Sequence, residues 1–166
     1  HWAYNPLERQ RVPGEDDGRT DIDRFIDDRL AAESMARNTP ADAYTLLRRL
    51  HFDLNGLPPT PEEIREFTHI HASSPEAAIR GVVDDLLARP AFGEKWGRHW
   101  LDIARYAERN GKETNVAYPY AWRYRDYVID SLNADKPYDR FLTEQIAGDR
   151  LPYDSYAQQA EQMVAT

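Results

Sequence analysis

Helix breakers set the length scale of this chain. Asn38-Thr39-Pro40, Asn55-Gly56 with Pro58-Pro59, Ser74-Pro75, Arg89-Pro90, Asn110-Gly111, Pro119, Lys136-Pro137 and Gly148 recur too closely for any long helix to form between them. Within the intervals, apolar residues follow the i, i+3, i+4 period of an amphipathic helix, and strand alternation is missing. The chain is therefore expected to be all-α, a single domain built as an irregular array of about seven or eight short helices and not as an up-and-down bundle.

Residues 1–19 hold two prolines and two glycines without periodicity, and read as an extended lead-in to a helical domain over 20–166. Thr20 with Asp23 suggests a cap, followed by an amphipathic pattern of Ile22, Phe25, Ile26, Arg29 and Leu30. A second helix is expected from about Ala41 to Leu54, burying Tyr44, Leu47, Leu50 and Leu54, with Gly56 as its left-handed terminator. Thr60-Pro61-Glu62-Glu63 combines a cap, a first-turn proline and a capping-box glutamate. A short third helix follows, then a fourth after Ser74-Pro75. The fourth carries Ala78, Ile79, Val82, Val83, Leu86 and Leu87 as its stripe. Helix seven (DRFLTEQIA) ends at Gly148, and a last helix begins near Ser155.

The segment from Gly93 to Asp149 concentrates the chemistry. It holds three of the four tryptophans together with a dense set of Arg, Asp, Glu, Asn and Gln. A helix spanning about Gly93 to Arg109 would place Trp96, Trp100, Ile103, Ala104 and Ala107 on one side. Arg98, Asp102, Arg105 and Arg109 would lie opposite, with His99 and Tyr106 at the boundary. The next helix, from Pro119 to about Leu132, would set Trp122, Arg125, Val128, Ile129 and Leu132 on one side. Arg123, Asp126, Asp130 and Asn133 would form a polar stripe, and Tyr120, Tyr124 and Tyr127 a third.

Charge and composition exclude several functions. A net charge of −8 disfavours general nucleic-acid binding. The lack of cysteine removes disulfides, thiolate metal sites and covalent haem attachment within this segment. No apolar run reaches the roughly 18 residues of a membrane span, and no signal-peptide pattern is present. The chain starts at His1 and stops after Ala165-Thr166 in a way that suggests a piece of a longer protein.

Longer words carry a family resemblance. Leu50-His51-Phe52-Asp53-Leu54-Asn55-Gly56-Leu57-Pro58-Pro59-Thr60-Pro61-Glu62-Glu63, His99-Trp100-Leu101-Asp102-Ile103-Ala104-Arg105-Tyr106-Ala107 and Tyr120-Ala121-Trp122-Arg123-Tyr124-Arg125-Asp126-Tyr127-Val128 are the longest. His1-Trp2-Ala3, Gly93-Glu94-Lys95-Trp96, Asn133-Ala134-Asp135-Lys136-Pro137-Tyr138-Asp139-Arg140-Phe141 and Glu144-Gln145-Ile146-Ala147-Gly148-Asp149 complete the set. In order and spacing they resemble the cytochrome-c-associated domain of unknown function of large secreted planctomycete proteins. The chain departs from that pattern at Ala31–Asp42, Glu108 and Lys112. The resemblance implies a secreted or periplasmic multidomain protein. It implies a downstream domain in the same polypeptide, a neighbouring cytochrome c domain carrying c-type haem, and carbohydrate-binding modules in some members. It implies no established activity.

Each candidate has a plain structural alternative. His99 and Asp102, at i, i+3, would offer two ligands to a divalent metal or a base with its orienting carboxylate, although zinc would want a third protein ligand. Otherwise Asp102 pairs with Arg98 or Arg105. Arg123, Asp126 and Asp130 would extend a cleft or lock two helices by buried ion pairs. Trp96, Trp100 and Trp122 would stack sugars or fill the core, and their apolar faces favour the core. Glu144, Gln145 and Asp149 would cap, bind a cation or face the next domain.

Two functions follow. In one, His99, Asp102, Arg105, Glu108, Arg123 and Asp126 carry catalysis, and Tyr106, Asn110, Tyr120, Tyr124 and Asp130 bind substrate for redox or glycan-related chemistry. In the other, the domain is a non-catalytic module docking a haem domain to its neighbour.

Overall fold

The structure, a computed structural model, describes residues 2–14 and 18–166; His1, the Trp2 side chain and residues 15–17 lie outside it. Among the described residues all regular structure is helical, apart from one isolated antiparallel bridge between Arg109 and Ala117. The fold is all-α. Backbone contacts divide the chain into two compact units, His1–Ala41 and Asp42–Thr166.

The first unit holds a 3-10 turn at Trp2–Tyr4 and helix α1 (Asp21–Ala32). Thr20 caps α1 by accepting the Asp23 N–H at 3.1 Å. Arg37 returns along the helix flank to pair with Asp23 at 2.9 Å and with Asp27. Ile22, Phe25 and Ile26, part of the expected amphipathic pattern, are exposed.

The second unit contains α2 (Ala43–Leu54), α3 (Pro61–Ser73), α4 (Pro75–Leu87), α5 (Pro90–Ile103), α6 (Ala121–Asn133), α7 (Tyr138–Ala147) and α8 (Tyr156–Ala165). Leu47, Phe67 and Ala78 form a core between α2, α3 and α4. Tyr44, expected inside, is exposed on the outer side of α2. Tyr127, Val128, Phe141 and Ala165 form a second core between α6, α7 and α8, with Trp100 and Leu101 of α5 packed on it.

Local chemistry starts and stops these helices. The expected capping box opens α3, with Glu63 N–H donating to Thr60 Oγ1 at 3.2 Å and Thr60 N–H to Glu63 Oε2 at 2.6 Å. Asp42 and Ser155 cap α2 and α8 through the N–H groups of Thr45 and Gln158. Glu63 also accepts from Arg89 Nη2 at 2.6 Å, tying α3 to the end of α4. The buried His51 imidazole of α2 stands beside this pair, its Nε2 4.0 Å from Glu63 Oε2 and without a hydrogen-bond partner among the described residues.

Helix α5 differs most from expectation. It begins at Pro90, three residues early, and ends at Ile103, six residues short of Arg109. Proline suits its first turn, where no N–H is needed. At the other end, Arg105 takes φ +54°, its N–H bonds to the Asp102 carbonyl, and the Tyr106 N–H reaches the Leu101 carbonyl. These paired bonds form a Schellman stop, which sends residues 105–120 into a loop.

The seam between α5 and α6 is drawn by glycines. A methyl on Gly97 would lie 3.1 Å from Ile129 Cγ1, and one on Gly93 would collide with the Asn133 amide at 2.6 Å. Asn133 instead accepts the Gly93 N–H at 2.8 Å and donates to the Pro90 carbonyl at 3.2 Å. Gly93, Gly97, Trp100 and Leu101 therefore make the buried face. Trp96 (41% exposed), Ile103 (75%) and, on α6, Trp122 (45%) are on the surface and not in the core.

Candidate functional site

The α5–α6 seam opens toward solvent as a cleft of about 320 Å³ lined by Glu94, Arg98, Leu101, Asp102, Tyr106, Arg125 and Ile129. Glu94, Arg98 and Asp102 recur at i, i+4 and i+8, so one edge of α5 supplies three charged groups. The same edge borders a second hollow of about 540 Å³, where His99 and Lys95 face Asn55, Gly56 and Leu57 at the end of α2. Lys95 donates to the Asp53 carbonyl across that hollow.

Opposite α5, Arg125 is fully engaged. Its Nη1 donates to Glu108 Oε1 at 3.0 Å, and its Nε and Nη2 meet Asp126 Oδ1 at 3.0 and 2.9 Å. Two carboxylates hold the Arg125 guanidinium above its usual range. Tyr106 Oη donates to the same Glu108 oxygen at 3.1 Å, and partial burial with this bond pushes its phenol up. The Schellman stop makes this possible, because it turns Tyr106 and Glu108 back over α6.

Arg98, Asp102 and Glu94 have no ion pair or side-chain hydrogen bond among the described residues. The expected pairing of Asp102 with Arg98 or Arg105 does not occur. Nor do Arg123, Asp126 and Asp130 lock α6 to α5, which meet instead through Gly93 and Gly97 against Asn133 and Ile129. Arg123 instead lies over the Tyr120 and Trp122 rings, 5.0 and 5.7 Å from their centroids.

The remaining candidates are dispersed. Asp102 and Tyr106 line the cleft, and Glu108 and Asp126 are tied to it through Arg125. His99 lies tilted against Trp96 on the neighbouring hollow, with ring centroids 5.4 Å apart, and Arg105 and Asp130 are exposed and line neither space. Asn110 stabilises the loop, its N–H bonding the Val116 carbonyl and its Oδ1 accepting the Lys112 N–H at 3.2 Å. Tyr120 is exposed beside Arg123. Tyr124 is half-buried, accepting from Trp100 Nε1 at 3.0 Å and donating to Gln145 Oε1 at 2.5 Å. Glu94 and Arg125 are cleft residues that periodicity misplaced or passed over. The regular spacing of Glu94, Arg98 and Asp102 was the available signal.

No group of three or more His, Asp or Glu side chains is arranged to hold a metal ion among the described residues. His99 and Asp102 thus gain no third ligand among the described residues.

Glu144, expected near a helix end to cap, bind a cation or face the next domain, lies inside. It is 4% exposed and accepts from Tyr127 Oη at 2.7 Å, Lys136 Nζ at 2.7 Å and Arg140 Nε at 2.6 Å. Burial is the strongest single influence and pushes its carboxyl up, but the three donors together outweigh it and hold it below the usual range. Burial, then the bond to Glu144, raises the Tyr127 phenol to about 12. This network belongs to the core and not to the cleft.

The molecule is thus an all-helical domain with a polar surface cleft between two glycine-packed helices. It belongs to the PSCyt2 family, described as a protein of unknown function (DUF1549), whose model matches residues 21–166. No curated protein and no solved structure matches the chain significantly.

Proposed function

We propose that this domain is a binding module whose α5–α6 cleft offers a polar half-site, completed by another domain of a secreted, cytochrome-c-associated polypeptide. The observation that carries this reading is the contrast across the cleft. Arg125 is neutralised by Glu108 and Asp126, while Arg98, Asp102 and Glu94 present a donor and two acceptors with no partner among the described residues. Alternating donors and acceptors beside the Tyr106 ring suit a polyhydroxylated ligand such as an oligosaccharide, which needs both kinds of hydrogen bond and an aromatic face.

Calorimetric titration of the chain with a panel of neutral oligosaccharides tests this. Asp102→Ala and Arg98→Ala should each weaken binding at least tenfold, while the thermal midpoint stays within about a degree, as for exposed substitutions. Binding that survives both changes, or its absence throughout the panel, would remove the half-site reading.

A docking role is favoured by a separate observation. Trp96 and Ile103, seven residues apart on α5, are both exposed, and Phe92 lies one turn before Trp96 at 6.4 Å. Such an uncovered apolar stripe would suit a neighbouring haem domain. Trp96→Ala would then weaken association with that domain and leave oligosaccharide binding unchanged.

A further inference from the structure

We infer that the groove between α3 and α4 is a docking site for a cationic amphipathic helix of a protein partner. The groove, of about 440 Å³, has Phe67, Ala78 and Val82 as its floor and Ile70 and Ala77 at its margins. It lies in the second unit, away from the α5–α6 cleft, and does not depend on that cleft's function.

Gly81 points to an occupant. It stands in the middle of α4, where glycine is the costliest ordinary helix residue after proline. A methyl placed there would meet nothing within 4 Å, and the backbone is not in the left-handed region. Neither packing among the described residues nor backbone conformation calls for a missing side chain. Its consequence is a deeper groove, able to take a large apolar side chain from outside.

Charge selects the kind of partner. The groove is bordered by Glu63, Glu66 and Asp85 with Arg89, and the hollow beyond Gly81 adds Glu76 and Asp84 with Arg80. Five carboxylates thus stand against two guanidiniums. Arg89 is already taken by Glu63 at 2.6 Å and by Asp85, whereas Glu66 and Asp84 have no ion pair among the described residues. A helix with an apolar stripe flanked by Lys or Arg fills the groove and pairs these carboxylates. A second copy of this chain would bring the same acidic rim face to face with itself in an isologous contact. An anionic membrane surface would be repelled.

The test uses the 166-residue chain and two labelled peptides of about 17 residues with one helical pattern, one of Leu and Lys and the other of Leu and Glu, read by fluorescence anisotropy. The Leu/Lys peptide should bind and the Leu/Glu peptide should not. Gly81→Leu should weaken binding at least tenfold, and Glu66→Lys with Asp84→Lys should abolish it. Gly81→Ala should raise the thermal midpoint by about 2–4 °C, since the helix gains and nothing is displaced. Circular dichroism reports folding of each variant, and the charge reversal decides should Gly81→Leu misfold. Equal binding of both peptides, or undiminished binding by Gly81→Leu and by the charge reversal, would overturn the inference. A concentration-dependent dimer that Gly81→Leu dissolves would also overturn it, assigning the groove to a second copy.

Discussion

Lys136 Nζ lies 2.7 Å from Glu144 Oε2, and the helix stop between α6 and α7 is what brings them together. Asp135 takes φ +49° after α6, and the Lys136 N–H bonds back to the Ser131 carbonyl. The chain thereby reverses and drops the ammonium onto a carboxylate presented by α7. Lys136 also reaches Glu161 of α8 at 2.6 Å and stands 4.6 Å from the Tyr127 ring centre. One buried carboxylate, with the lysine that bridges it to Glu161, therefore joins α6, α7, α8 and the turn that orders them.

Removing that carboxylate should be severe. Glu144→Ala leaves the buried Tyr127 hydroxyl without its acceptor and the largely buried Lys136 with Glu161 alone, while the more exposed Arg140 turns to solvent. The expected loss is about 3–5 kcal/mol in urea unfolding, the range for breaking a buried pair from one side. Glu161→Ala, at the solvent end of the same network, should cost no more than about 1 kcal/mol. Equal effects of the two changes would show that Glu144 is not the hub.

Acid should weaken the second unit in two stages. Burial, the largest influence on His51, lowers its pKa below the ordinary 6.5, so the unfolded chain takes up this proton first. Stability from His51 is therefore present above pH 6.5 and is lost as pH falls through the window below it. For Glu63, burial pushes upward most strongly, but the Thr60 N–H and the Arg89 guanidinium prevail and hold it at about 2 against an ordinary 4.5. Its contribution is complete above 4.5 and is lost as pH falls toward 2. Urea midpoints measured from pH 7.5 to 3 should decline in both windows, and His51→Gln should erase the upper decline alone. A flat midpoint between pH 7 and 5 in the parent chain would contradict the buried neutral imidazole.

Much of the fold was legible because breakers and caps act locally. Thr60-Pro61-Glu62-Glu63 and Asn55-Gly56 specify their ends without tertiary help, and the structure places both as expected. The faces of α5 were misread for one reason. A stripe of Trp96, Trp100 and Ile103 looks like a core face when apolar residues alone are counted. The true seam of α5 runs through Gly93 and Gly97, which count for nothing on a hydrophobicity pattern yet permit the closest approach to α6. Rotating the helix onto that seam exposes Trp96 and Ile103 and moves Glu94 to the cleft. The same blindness hid Glu144, because a glutamate in a short helix looks solvated until Lys136, Arg140 and Tyr127 are seen around it. Within the candidate site, Asp102 and Tyr106 could be placed by spacing. Glu108 and Arg125 meet only because α5 stops early, and that stop rests on an arginine where a glycine would be expected.

Arg105 supplies the last prediction. At φ +54° it occupies the left-handed position of the Schellman stop, a conformation that disfavours any residue with a Cβ. Its side chain has no hydrogen bond or ion pair among the described residues to offset this. Arg105→Gly should therefore stabilise the chain by about 1 kcal/mol and raise the thermal midpoint by about 2–4 °C. The bonds from Arg105 to Asp102 and from Tyr106 to Leu101 use backbone atoms only, so the turn that carries Glu108 to Arg125 should persist. A drop in stability would show that the arginine side chain holds the loop. Where strain of this kind borders a binding site, the side chain that causes it is often kept for what it contacts outside the fold. Oligosaccharide titration of the same variant separates the two cases: a stabilised chain with tenfold weaker binding makes Arg105 part of the half-site, and unchanged binding confines its effect to the turn.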